Sequence, residues 1–109
     1  MANFEPISGM PDDPYSYGFP FLLPEFGHEI FYDMARASRA MGDPDRALAL
    51  CQQSIERNDW ALPYILRGNI LAERGELAAA REQYLMALDR ADNEELVNHI
   101  NNLLAELSG

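Results

Sequence analysis

The sequence predicts an all-α fold: two helix-turn-helix repeats, a closing helix and an irregular amino-terminal segment. Three observations carry this. Apolar residues recur at helical spacing through successive stretches. A Gly-acidic turn at Gly42-Asp43 returns at Gly75-Glu76. No stretch alternates apolar and polar residues as a half-buried strand does.

The repeat aligns residue by residue. Gly42 falls on Gly75, Ala47 on Ala80, Cys51 on Tyr84, Ser54 on Ala87 and Ile55 on Leu88, a constant offset of 33 positions. Such a period marks a stacked helical array. Each unit reads as helix, Gly-acidic turn, helix.

The first helix is expected over about His28 to Met41, with Ile30, Phe31, Met34 and Met41 on one side. Gly42 takes the left-handed conformation that ends it. Asp43 then caps the second helix, about Pro44 to Arg57, with Pro44 where its missing N–H costs nothing. Ala47, Leu48, Cys51 and Ile55 form its apolar face. Asp59 is expected to cap the third helix, about Trp60 to Arg74, which carries Tyr64, Ile65, Gly68 and Leu71. Gly75 ends that helix, and the fourth, about Glu76 to Ala91, carries Leu77, Ala80, Tyr84, Ala87 and Leu88. Asn93 caps the last helix, about Glu94 to Leu107, whose leading glutamates suit the helix dipole. Its apolar side holds Leu96, Val97, Ile100, Leu103, Leu104 and Leu107.

These boundaries divide the chain into a segment over 1–27 and a helical domain over 28–109, with repeats at about 28–60 and 61–94 and a closing helix at about 94–107. The 109 residues fit one domain, and a 48% hydrophobic share is enough to bury a core. No apolar run approaches the ~20 residues that cross a bilayer. The start lacks a signal peptide's basic region, and Phe19-Pro20-Phe21-Leu22-Leu23 is short and interrupted by proline. A cytoplasmic protein is expected, without a membrane partner.

The formal charge is −10, with 18 acidic residues against 8 basic ones. Phosphate binding needs a basic face, so nucleic acid is excluded as a partner. Every basic residue is arginine, and lysine is absent. A GC-rich genome or a high-salt habitat accounts for this as well as a basic partner does. The single cysteine, Cys51, excludes an internal disulfide and a cysteine-rich metal site. It lies on the apolar face of the second helix, which implies a buried thiol rather than a nucleophile.

His28 and His99 are the only histidines, and neither stands in a metal-binding or base-orienting pattern. No catalytic residue, metal or cofactor is expected, and the chain does not read as an enzyme. The face formed by Asn98, His99, Asn101 and Asn102 reads as solvated surface.

The unit from Ala61 to about Glu94 resembles a tetratricopeptide repeat. Tyr64, Gly68 and Leu71 fill that family's first-helix places, and Ala80, Tyr84 and Ala87 fill the second-helix places. Gly68 and Ala80 are small where the two helices cross, and Tyr84 fills the gap beside them. Arg67 and Asp92 depart from the pattern, standing where leucine and a closing proline are common. The earlier unit is similar through Phe31, Met34, Ala35, Gly42, Ala47, Cys51 and Ser54, with Ala35 in the glycine's place and Ser54 in the second alanine's.

The resemblance implies a concave groove lined by the first helix of each repeat. Glu29, Tyr32, Arg36 and Arg39 would come from one unit, and Leu62, Ile65, Asn69, Ala72 and Glu73 from the other. Arg36 and Arg39, three apart, would reach a carboxylate together; as plain surface they would pair with Asp33 or Asp43. Asn69 offers a donor and an acceptor to a peptide backbone. Family members that grip a chaperone's terminal carboxylate use groove lysines, which this chain lacks.

The function implied is a non-catalytic interaction module, an adaptor or scaffold that binds a peptide or protein, with a homodimer among the expected assemblies. The alternative is a small chaperone of this repeat type, shielding a helix of a secreted or assembling subunit.

The first 27 residues hold six of the eleven aromatics, five of the seven prolines and no basic residue. Their prolines disfavour a regular helix. A purely solvated tail rarely carries so many aromatics. Two repeats bury little, and arrays usually need about three. Tyr15, Tyr17, Phe19, Phe21 and Phe26 are therefore expected to dock: on the first helix's exposed edge, in the groove, or on a second copy.

Overall fold

A computed structural model describes residues 24–108. Among the described residues five helices follow one another: α1 Pro24–Ala40, α2 Pro44–Arg57, α3 Ala61–Glu73, α4 Leu77–Arg90 and α5 Glu94–Ser108. No strand occurs among the described residues. The fold is all-α, and none of these helices is long and apolar enough to cross a membrane.

The helices form two hairpins: α1 lies along α2, and α3 along α4. α2 and α3 join the hairpins, α1 also touches α3, and α5 packs on α4. The turns inside the hairpins have the same backbone chemistry. In the first, the Gly42 N–H donates to Arg39 C=O at 3.0 Å and the Asp43 N–H to Ser38 C=O at 2.9 Å. In the second, the Gly75 N–H donates to Ala72 C=O at 3.0 Å and the Glu76 N–H to Leu71 C=O at 2.9 Å. Gly42 and Gly75 sit at φ of +85° and +81°, the left-handed conformation that this helix ending requires.

Capping follows the sequence at two of the expected places. Asp43 Oδ1 accepts from the Arg46 N–H at 3.2 Å, with Pro44 opening α2, and Asn93 Oδ1 accepts from the Leu96 N–H at 2.8 Å. The third place is a correction. Trp60 stands at the α3 cap with no side-chain hydrogen bond, and Asp59 is engaged elsewhere. Its Oδ1 accepts from the Tyr64 hydroxyl and from Arg90 Nε, each at 2.7 Å. The long partners on α3 and α4 hold the carboxylate, which ties the start of α3 to the end of α4.

The core forms two clusters. One gathers Phe31, Ala35, Ala47, Leu50, Cys51, Leu66 and Ile70; the other gathers Ala61, Tyr64, Ile65, Ala80, Tyr84, Ala87 and Ile100. The aligned pairs Ala47/Ala80, Cys51/Tyr84 and Ser54/Ala87 are buried in both repeats. Two expected apolar positions lie outside: Met41 is 81% exposed and Leu77 is 48% exposed. Both flank the Gly turns, where the backbone leaves the packed helix face.

The first helix also begins earlier than its periodicity indicated, at Pro24 rather than near His28. Proline is tolerated in a helix's first turn, because those N–H groups have no intrahelical partner. Tyr15, Tyr17, Phe19 and Phe21 lie outside the described residues, and so does the side chain of Phe26.

Candidate functional site

A concavity of about 1050 Å³ runs between α1 and α3, with His99 of α5 also lining it. On α1, Tyr32, Arg36 and Arg39 share a face because they are spaced four and then three residues apart. On α3, Leu62, Ile65, Asn69 and Glu73 do the same. All seven line this concavity. Ala72 instead lines an adjoining hollow of about 470 Å³, together with Asn69, Leu77, Tyr84 and Leu103.

Arg36 takes Asp33, a partner its spacing offered, whereas Arg39 takes one from another helix that spacing did not identify. Arg39 donates through Nε to Glu73 Oε1 at 3.3 Å, and through Nη2 to Glu73 Oε2. This two-pronged pair crosses from α1 to α3 and holds the Glu73 carboxyl below its usual range. Arg36 lies 3.8 Å from Asp33 and 5.8 Å from the centre of the Tyr32 ring. The two arginines do not converge on one point; each faces its own carboxylate.

Asn69 Oδ1 accepts from the Tyr84 hydroxyl at 2.6 Å. Burial pushes the Tyr84 and Tyr32 hydroxyls above their ordinary pKa, so Tyr84 stays protonated and keeps donating. That contact orients Asn69 from below, while Ile65, 6% exposed, forms part of the floor. The groove is therefore apolar at Leu62, Ile65 and Tyr32, and polar toward Arg36, Arg39, Asn69 and Glu73.

The end of the groove near Trp60 is tied together by Ser54. Its hydroxyl donates to His28 C=O at 2.6 Å and accepts from Trp60 Nε1 at 2.9 Å. The Trp60 ring meets His28 edge-on at 4.8 Å and Tyr32 at 5.3 Å. One buried hydroxyl thus links the beginnings of α1 and α3 across α2. The signal was the serine standing opposite Ala87, where an apolar residue would pack equally well.

Cys51 is fully buried, and desolvation pushes its thiol up to about 12. It is poorly placed to act as a nucleophile. Among the described residues, no cluster of His, Cys, Asp and Glu is arranged to hold a metal ion.

No family model, no curated protein and no solved structure matches this chain.

Proposed function

We propose that this chain is a non-catalytic interaction module of the tetratricopeptide type, which holds a peptide or a segment of a partner protein along the groove between α1 and α3. The observation that carries this reading is the groove itself. It is open, about 1050 Å³ in volume, and lined by successive faces of two helices. Its helices pack against the core, so little ordering opposes binding.

Two features support the repeat type: the recurrence of the Gly turn and the close approach of Gly68 to Tyr84. The non-catalytic reading is supported by the pairing of the groove's Arg39 and Glu73 and by the high pKa of Cys51. The bound segment lies against Leu62 and Tyr32 and hydrogen-bonds to Asn69. Arg36, loosely paired and well exposed, is the groove cation that a partner carboxylate reaches first.

Affinity capture from the native cell tests this, comparing the wild type with Arg36→Ala/Arg39→Ala by mass spectrometry. The captured set should lose members in the variant. An identical set would remove the arginine end of the groove from the site.

A further inference from the structure

Where α3 and α5 begin, a second cleft of about 530 Å³ opens between Trp60, Leu62, Leu96 and His99, with Arg90 and Glu95 also lining it. Trp60, Leu62 and Leu96 are only half-buried, so apolar surface faces solvent here. Arg90 is held by Asp59 at 2.7 Å, and Asp92 and Glu95 add negative charge. An acidic occupant is repelled, whereas an uncharged apolar one is not.

The chain enters the described structure beside this cleft. α1 starts at Pro24, and one turn later His28 meets Trp60 edge-on at 4.8 Å. Pro24 lies one turn before His28, about 6 Å along the helix axis, so a few extended residues span the way to Trp60. Residues 14–23 read PYSYGFPFLL, a run with no charge, four aromatics and two leucines. A segment tethered so closely has an effective concentration of about millimolar, which favours it over a free ligand of similar chemistry. The same end also holds His28 Nδ1, buried without a hydrogen-bond partner among the described residues. A segment crossing this turn brings backbone and hydroxyl groups to it.

The geometry points to residues 19–23 as the occupant: Phe19 and Phe21 fold back into the Trp60–Leu62–Leu96 cleft of their own chain and cap this end of the array. The cleft shares Leu62 and His99 with the groove, so the segment lies beside the groove's proposed partner, while the groove's arginines take no part in it.

Trp60 is the only tryptophan, so its fluorescence in the full chain reports the cleft directly. In Phe19→Ala/Phe21→Ala, its emission shifts to the red, iodide quenching rises, and Tm falls by roughly 5 °C. Adding these changes to Leu96→Ala has a smaller effect than adding them to the wild type, because the contact they would break is already lost. Three results overturn the proposal: unchanged Trp60 quenching in the Phe19/Phe21 variant; full additivity with Leu96→Ala; or wild-type protection that disappears on dilution together with a fall in sedimenting mass, which would assign the segment to a second copy.

Discussion

A Cβ placed on Gly68 would lie 2.4 Å from Tyr84 Cε1, so α3 and α4 cross at a distance only glycine permits. Tyr84 is 2% exposed and its hydroxyl is fixed on Asn69, so the ring cannot swing aside cheaply. At an ordinary helical site, Gly→Ala gains roughly 1 kcal/mol in propensity. Here overpacking, about 1–3 kcal/mol, outweighs that gain. Gly68→Ala should lower the urea midpoint, and a raised midpoint would contradict the close crossing.

Ser54→Ala removes a hydroxyl that donates to His28 C=O and accepts from Trp60 Nε1. The indole N–H loses its partner and the carbonyl loses one of its donors, a cost of about 1–3 kcal/mol. The expected outcome is a lower denaturation midpoint with an altered Trp60 emission. A neutral substitution would show that water replaces the hydroxyl without penalty.

These two sites mark what was legible in the sequence. Gly68 was readable through the resemblance to the repeat, which implies a small residue where the two helices cross beside Tyr84. The turns were readable because Gly42 and Gly75 each precede an acidic residue. Ser54 registered only as a small residue, since its two partners come from α1 and the start of α3. Asp59 was read as a cap by its position, yet Tyr64 and Arg90 claim its carboxylate. The groove faces of α1 and α3 followed from periodicity. The bond from Arg39 to Glu73 did not, because it depends on how two helices 34 positions apart are set side by side. Pro24 misled for a simpler reason: proline marks a boundary without saying on which side the helix lies.

Cys51 should resist thiol reagents in the native state and react on unfolding. Its folded pKa of about 12 lies above the ordinary value near 9. A raised folded pKa means its contribution to stability is complete below pH 9 and is lost as pH climbs toward 12. The loss is at most about 1.4 kcal/mol per pH unit over that window. Burial raises Tyr32, Tyr64 and Tyr84 in the same sense. Unfolding midpoints should therefore decline from pH 9 upward, and Cys51→Ala should soften that decline. Rapid native-state labelling by Ellman's reagent would contradict the burial.

The Arg39–Glu73 pair acts at the opposite end of the pH range. The Glu73 carboxyl is lowered, chiefly by its hydrogen bond from Arg39. Its contribution is therefore present above the unfolded carboxylate pKa and is lost as pH falls through the folded value. Glu73 is 55% exposed, so screening limits the pair to about 0–1 kcal/mol. Glu73→Gln should change stability little at neutral pH, and that small change should shrink in high salt. A loss of several kcal/mol would mean that the pair is far better shielded than its exposure implies.

The central claim, that the concave face between α1 and α3 holds a peptide, is tested most directly by selecting ligands from a random peptide display library on the immobilised full chain. The affinity of the best ligand is then measured by calorimetry. Arg36→Glu and Leu62→Ser, both on the groove, should each weaken that affinity by about tenfold or more, roughly 1.4 kcal/mol. Glu82→Ala, exposed and away from the groove, should leave it unchanged. Full affinity in both groove variants, or a loss confined to Glu82→Ala, would contradict the account.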